Sequence, residues 1–584
     1  MAVYGGTAFI IFEASTMIFP RWGLPDWTID LVLYLLILGA IITFVLGWIY
    51  DITPEGVQKT KAISDIPKDE TSSSKNGWRV ASYISFAVIL ALIIFNIIAI
   101  SNGENRLDES LAKSIAVLPF ENFSIDENQE ANCLAITSEI IHHLFKVKAF
   151  DHVTSLTTVM NYRDTEKNIP EIARELNVNY ILEGVYKRIG NELRISATLI
   201  QAGQDGHIWQ NNYDRPYEEI VSLQSDIALQ IADNLKVFIS DEEQERIREN
   251  PTNNQNAYEL VLQARYLRTT RKEFVTDKAL ELVLQAIELD PHYASAYAFA
   301  GEIILWKGTY LGDSEMQSIA WDALPFFEEA LELNQNIAQA HYGMGLIDEW
   351  VRWDYIKAEK AYQKTIELEP NNISNYGLLS DFFVKMDQQE DAKYIIKRYF
   401  EDNNVTAYRN LITSSIASGN RNDTYKYIEA YLKEEGEWAH EWIGKEYLWL
   451  EEYDSSRFYL ESALESKHPI MLTPRFQAAL ALAKRNTNNL LEAQEILNSL
   501  IVKADSTSVG SPAYFTAWYY GGIGARDSAF YWLEKAFNNR SPEMPWLKID
   551  PAFRNLKDDP RYWDLYERTG HKAYDDYLLK EKNN

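Results

Sequence analysis

Five small groups of residues in this sequence have the types that chemistry uses. His142 and His143 are adjacent imidazoles in "SEIIHHLF". On a helix, neighbours point about 100° apart, so the two cannot converge on one metal ion. Cys133, the single cysteine, sits in "ANCLAIT". A buried packing residue and a reactive thiol are both open readings, and the apolar helix face around it favours packing. "GGIGARD", Gly521–Asp527, is glycine-rich like a phosphate loop. Such a loop needs a strand before it, and the flanks here read as helices, so a turn between repeat helices is expected. Asp550, Asp558 and Asp559 stand beside Pro551 and Pro560, which is the pattern of helix caps rather than of a calcium loop. Glu13 lies inside an apolar run, where an acid is either functional or a polar contact between helices. No Walker loop, dinucleotide fingerprint, HExxH or nucleophile-elbow motif occurs. The expectation is a protein with no catalytic residue, no metal and no cofactor.

The elements that would position these groups follow from composition and periodicity. The chain has 584 residues, too many for one core. Hydrophobic residues make up 46% and charged residues 24%, which suits folded domains. The formal net charge is −29. An acidic surface repels phosphate backbones, so nucleic acid is not an expected partner. One cysteine allows no intramolecular disulfide.

Three apolar segments, 2–19, 31–50 and 80–100, precede residue 104. The second and third approach the roughly 20 apolar residues that cross a bilayer as a helix, and Trp22, Trp27, Trp48 and Trp78 stand at segment ends. The expected first module is therefore a membrane anchor over 1–103 with about three transmembrane helices. Lys59, Lys61, Lys68, Lys75 and Arg79 fall between the second and third segments, which puts that loop in the cytoplasm and the large C-terminal region outside it.

Residues 104–250 alternate strand and helix signals. "SIAVLPF", "HVTSL" and "NYILEGVYKR" read as strands, and "QEANCLAITSEIIHHLFKV", "NIPEIARELN" and "YEEIVSLQSDIALQIADNLKVFI" as helices. "RIGNELRISATLIQAGQDGHIW", Arg188–Trp209, alternates apolar and polar residues about Gly190-Asn191, as strands joined by a tight turn do. Leu193, Ile195, Ala197 and Leu199 would face a helix, with Glu192, Arg194, Ser196, Thr198 and Gln201 toward solvent. That solvent row is mixed and unclustered, so the expectation is a structural sheet whose edge stays open to strand pairing.

Residues 251–570 are helical and repetitive. Ala279 and Ala286 are followed by Pro291; Ala323 and Ala330, and Ala529 and Ala536, repeat the seven-residue step; Ala358 precedes Pro370. From Ala358 to Ala392 is 34 residues. A period near 34 with small residues at two places and a closing proline is the tetratricopeptide pattern. Alanine lets the two helices of a repeat approach, and proline ends the second. About eight repeats are expected, with an insertion near Gly308–Ser318 and a tail over 571–584.

Three sequence features together resemble a known bacterial architecture. "FPRWGLPDW" with "WIYDITPEG" resembles the anchor of many bacterial membrane proteins. "IAVLPFENFS", "VNYILEGVYKRIGNELRISATLIQAGQDGHIWQNNYDR" and "IVSLQSDIALQIADNL" resemble the TolB amino-terminal-like domain. "WLEKAF" with "WLKIDPAFRNLKDDPRYWDLYER" is similar to the ending of the tetratricopeptide proteins that carry it. In some relatives the anchor follows a class III adenylate cyclase or a winged-helix domain. The fold class implied is multidomain: N-terminal transmembrane helices, a small α/β domain, then an all-α tetratricopeptide solenoid. The implied protein is a non-enzymatic scaffold of the bacterial inner membrane, multi-pass, with its C-terminal region periplasmic and its solenoid groove binding a peptide or protein in the cell envelope. A sensory component reporting to a cytoplasmic partner is the alternative, and an enzyme of unknown type the least favoured reading.

Overall fold

The structure is a computed structural model that describes residues 112–124, 129–202, 207–269, 275–309, 316–399, 405–465, 473–507 and 510–583, and scattered positions with one hairpin before them. The chain divides into two compact units, 1–104 and 105–584. In the first, β1 (Tyr50–Thr53) and β2 (Gly56–Lys59) form an antiparallel hairpin with Tyr50 opposite Lys59.

This corrects the expected membrane anchor. Among the described residues no helix is long and apolar enough to cross a membrane. Tyr50, expected at the end of a spanning helix, starts a strand instead. The segment 80–100 and Glu13 lie outside the described residues, as do most positions of 2–19 and 31–50. With the anchor fall the transmembrane fold class, the integral membrane contact and the multi-pass inner-membrane location with a periplasmic C-terminal region. Apolar length, flanking tryptophans and a cationic loop suggested them; a span also needs one unbroken helix.

The second unit opens with a mixed sheet: β3 (Ser114–Val117), β4 (Glu121–Asn122), β5 (His152–Val153), β6 (Tyr180–Ile189), β7 (Glu192–Gln201) and β8 (His207–Pro216). Their order is β5-β3-β6-β7-β8, with β4 also on β6. The first four pair in parallel; β6, β7 and β8 form an antiparallel meander. Gly190 takes φ +63° in the turn between β6 and β7, a conformation glycine adopts freely. Besides the single turn Leu156–Val159, four longer helices accompany the sheet: α1 (Glu130–Phe145), α2 (Ile169–Glu175), α3 (Ile220–Asn234) and α4 (Asp241–Arg248). Asn168 with Glu171 and Ser240 with Glu243 form capping boxes that start α2 and α4. Leu193, Ile195, Ala197 and Leu199 are buried, and α3 packs on β7 and β8. Thr198, expected in solvent, is buried as well. It stands at mid-sheet between Glu183 of β6 and Gln210 of β8, so neighbours on both sides cover a short side chain that alternation alone would expose.

Eight helix pairs follow among the described residues. They are α5 (Gln255–Thr269) with α6 (Val275–Leu289); α7 (Ala294–Thr309) with α8 (Met316–Leu333); α9 (Ala338–Ile347) with α10 (Tyr355–Leu368); and α11 (Ile373–Lys385) with α12 (Gln389–Tyr399). Then come α13 (Val405–Ala417) with α14 (Arg421–Glu435), α15 (His440–Trp449) with α16 (Tyr453–Glu465), α17 (Pro474–Asn486) with α18 (Leu490–Ser506), and α19 (Gly510–Gly522) with α20 (Arg526–Asn538). Two 3-10 helices, Met544–Lys548 and Pro551–Leu556, lead to α21 (Pro560–Arg568) and α22 (His571–Asn583). First helices pack on first helices down the array, for example α7 on α9, α15 on α17 and α17 on α19. Second helices pack mainly on their own partner and, beyond it, on the first helix that follows them. A row held closer on one side curves toward it, so the first helices line the inner face of a tetratricopeptide-like solenoid.

Ala279, Ala286, Ala323, Ala330, Ala358, Ala392, Ala529 and Ala536 are fully buried. Pro291 and Pro370 lie just past the ends of α6 and α10, exposed and half-buried. Gly301 and Gly343 make room for one ring: a Cβ at either would meet Phe327 of α8, at 2.8 and 2.1 Å. One apolar core runs from the sheet through α1 and α3 into α5, α6 and α7. Further ties cross that junction. Tyr258 of α5 donates to Gln224 of α3 at 2.7 Å, and the Asn371 amide donates to the Phe145 carbonyl of α1 at 3.1 Å.

Candidate interaction face

The residues that drew attention in sequence lie apart. His143 is buried on α1 with Nδ1 lacking a protein hydrogen-bond partner; burial first, then Lys146 and His142, holds its pKa well below the usual histidine value. His142 is held low chiefly by burial too, against Glu139. Cys133 is buried and its Sγ donates to the Phe120 carbonyl at 3.1 Å. Burial, with Glu130 adding to it, pushes the thiol up to about 12, so little nucleophilic thiolate forms near neutral pH. Among the described residues no group of three or more His, Cys, Asp or Glu side chains is arranged to hold a metal ion. Gly521–Asp527 is the turn between α19 and α20, with Gly524 at φ +74°. Asp550 and Asp559 cap helices, accepting from the Ala552 and Arg561 amides.

What the fold does assemble is the inner face, in two states. On pairs one to three, Arg268 of α5 pairs with Glu302 of α7, and Gln339 of α9 donates to the same carboxylate. These residues stand one repeat apart, so the period lays them in a row across three first helices. The row is half-buried rather than sealed, and Trp306 beside it on α7 is 42% exposed.

On pairs four to eight the same face is covered by the chain itself. Residues 541–556 return along it, touching α11, α13 and α19 and lying within electrostatic reach of α15 and α17. The Trp546 ring lies 5.3 Å from Lys385 Nζ of α11, and Arg554 donates to the Ile416 carbonyl of α13 at 3.2 Å. Lys445 of α15 and Arg475 of α17 act electrostatically on Asp550 and Glu543. Ser511 of α19 donates to Glu543 at 2.8 Å, and Tyr514 to Asp550 at 3.2 Å. A Cβ at Gly521 would meet the Ala552 carbonyl oxygen at 2.5 Å. Met544, Leu547, Phe553 and Leu556 are fully buried. Burial outweighs the hydrogen bonds to Asp550 and raises its carboxyl to about 6.

The cap beyond this segment closes against pair three. Gly570 takes φ +81°, and a Cβ there would lie 2.2 Å from the Trp353 carbonyl oxygen. Arg540 stacks 4.3 Å from the Trp353 ring and donates to the Val351 carbonyl at 3.4 Å. His571 sits between Tyr355 and Tyr566, each 4.9 Å away; burial lowers its pKa to about 4. Tyr574 donates to Glu359 at 2.9 Å. Lys385 Nζ lies 2.6 Å from both Glu349 and Asp381. Burial alone would lower its pKa, but the two carboxylates outweigh burial and raise it. Motif reading missed this closure. Its sequence signal was the pair Gly521 and Gly570, where backbone approaches backbone.

Residues 111–229 match the family described as HilA/YgeH-like transcriptional regulator, second domain, which is not an enzyme family. The chain is 31% identical over 239 residues to a protein of Rhizobium meliloti (strain 1021) named putative adenylate cyclase 3, a stretch covering 41% of this chain and 40% of the relative. The chain thus spans less than half of that relative's length. Among solved structures, it is similar to a chain of the APC/C hetero-tetramer Cut9-Hcn1 at 13% identity and TM-score 0.35, over 60% of this chain and 64% of that one. It is similar to the human IFIT1 dimer with m7Gppp-AAAA at 13% identity and TM-score 0.34, over 61% of this chain and 89% of that one.

Proposed function

We propose that the protein is a non-enzymatic interaction scaffold that takes a peptide or protein partner on the first helices of pairs one to three. The observation that carries this reading is the contrast along the inner face. Pairs four to eight spend their inner surface on residues 541–556, whereas the Arg268–Glu302–Gln339 row stays half-buried beside exposed Trp306. Partly exposed polar groups with an aromatic anchor suit a partner's backbone and one apolar side chain. The division that goes with it is an α/β domain of the TolB-like kind over 104–250, repeats over 251–570 and a tail over 571–584. A match to a regulator-family domain inside the first of these supports it. A second reading, a signalling component that passes a partner's binding to another protein, is supported by the regulator and cyclase names of the relatives. The test is selection of peptides from a displayed random library on the full chain, followed by titration against Glu302→Lys with Trp306→Ala. Loss of about tenfold or more in affinity is expected for a hot-spot aromatic and its charged neighbour. Peptides that bind the double variant as tightly as the parent would sink the reading.

A further inference from the structure

β8 is the outer strand of the sheet, and among the described residues it pairs only with β7. Ten residues long, it leaves one row of backbone N–H and C=O groups turned away from the sheet. Proteins usually block such an edge with lysine, proline or a short strand. Here the stretch Ile208–Tyr213, "IWQNNY", carries no charge and no proline. The strand's charges and proline are confined to Asp214, Arg215 and Pro216, and Asp214 and Arg215 are already engaged by Arg194 and Glu219 at 2.5 and 2.8 Å. Asn211 and Asn212 are exposed. In a chain with net charge −29, this stretch of edge brings no charge of its own against a second copy.

We propose that two copies of this chain join edge to edge through β8, antiparallel, across a two-fold axis at Asn211. An isologous contact requires residue i of one copy to face j of the other and the reverse. Opposed residues must also lie on the same sheet face, so i and j share parity. Centring on Asn211 places Trp209 against the second copy's Tyr213, twice, and Gln210 against its Asn212, twice. Asp214 faces Ile208, and Arg215 faces His207, so no like charges oppose at neutral pH. Trp209 and Tyr213 already share a face, their rings 6.5 Å apart; the pairing extends them into a row of four aromatic rings, a favourable cross-strand arrangement. A second copy offers this edge already ordered by its own sheet, whereas a free peptide would first lose its conformational freedom. The contact leaves the first helices of pairs one to three untouched, so it stands or falls apart from the function proposed above.

Sedimentation equilibrium of the full chain across a concentration series reads the dimer. Asn211→Lys and Asn211→Glu, each placing like charges across the axis, should weaken it by about tenfold or more. A mixture of the two variants should restore it. Circular dichroism checks that each variant is folded. Asn211→Cys should form an intermolecular disulfide under mild oxidation, because directly opposed strand residues lie within disulfide reach; buried Cys133 does not compete. Three results would overturn the proposal: a wild-type monomer at every concentration, a dimer indifferent to both charged variants, or Asn211→Cys that does not crosslink. A monomer that instead takes up a labelled 207–216 peptide at β8 also overturns it and identifies the edge as a peptide site.

Discussion

The first helices of pairs one to three and of pairs four to eight come from the same repeat and end in opposite states. In the first stretch, residues one repeat apart tie neighbouring helices together and remain half-buried. In the second, the same geometry faces residues 541–556, and the tie that reaches from α11 to the end of pair three's first helix is sealed in a core, while Arg475–Glu441, one repeat apart on α17 and α15, keeps Arg475 partly exposed. The Lys385–Glu349 and Arg268–Glu302 pairs illustrate this. Lys385 and Glu349 have 7% and 0% of their side chains exposed, Arg268 and Glu302 have 31% and 18%. A solenoid that curls far enough for its cap to touch its third pair has an inside, and an ion pair there is worth what its dielectric surroundings make it.

The largest effect should come from breaking the inside pair. Lys385→Met removes the cation and leaves Glu349 fully buried, with Tyr362 donating to it at 2.7 Å. Urea unfolding of the full chain should show a loss of about 3–5 kcal/mol. A near-neutral result would mean that water reaches Glu349, and that the covered face is looser than its packing indicates.

Acid probes the same closure, with opposed signs from two residues. His571 is lowered from 6.5 to about 4, so the unfolded chain binds its proton first and stability falls as pH drops from 6.5 to 4. Asp550 is raised from 3.8 to about 6, so the folded chain binds its proton first and stability rises as pH drops from 6 to 3.8. The two partly cancel in the wild type. His571→Gln keeps a donor for the Pro545 carbonyl and an acceptor for Thr569, the partners His571 has now, and removes the falling contribution. Relative to wild type it should gain up to about 3 kcal/mol between pH 6.5 and 4. A constant difference across that range would show that His571 titrates normally and the cap is open to water.

How much of this was legible before the structure depends on the distance over which the cause acts. The alanine spacing is a local signal: a small residue every 34 or so positions reports a helix approaching its own partner, and the alternation in β7 reports the helix lying on it. Thr198 escaped because burial at mid-sheet comes from strands on both sides, which a one-strand pattern does not contain. The covered inner face escaped for the same reason at larger scale. Arg554 meets Ile416, and Gly570 meets Trp353, across more than a hundred residues, and whether they meet depends on the pitch accumulated over every intervening pair. The apolar segments before residue 104 show the opposite case: apolar length, tryptophans and a cationic loop do not establish an unbroken helix, and among the described residues no helix is long and apolar enough to cross a membrane.

The alanines test whether the register is uniform along both stretches. Ala358 is fully buried on α10, the second helix of the pair that closes on the cap. Ala358→Leu should overpack that site and cost about 1–3 kcal/mol in urea unfolding. The same change at Glu281, which lies on the exposed side of α6 in contact with Lys278 and Gln285, should leave the midpoint nearly unmoved. Equal losses at both positions would mean that the period locates helices without locating their faces.

The smallest effect should come from the open row, and it is the sharpest test of the contrast. Glu302→Gln removes the charge that Arg268 faces, but the new amide oxygen still accepts from Arg268, and its NH2 can donate to Gln339 once that amide turns its own oxygen inward. The row is half-buried, so water can take up what the lost Coulomb attraction leaves. The cost in urea unfolding should stay below about 1 kcal/mol, several-fold less than Lys385→Met. Two outcomes bear on the comparison differently. A small loss confined to pairs one to three, read by hydrogen exchange of the α7 amides, is what a solvated docking row predicts. A loss as large as that of Lys385→Met would place Glu302 in surroundings as dry as those of Glu349, and the distinction between an open and a covered inner face would no longer hold.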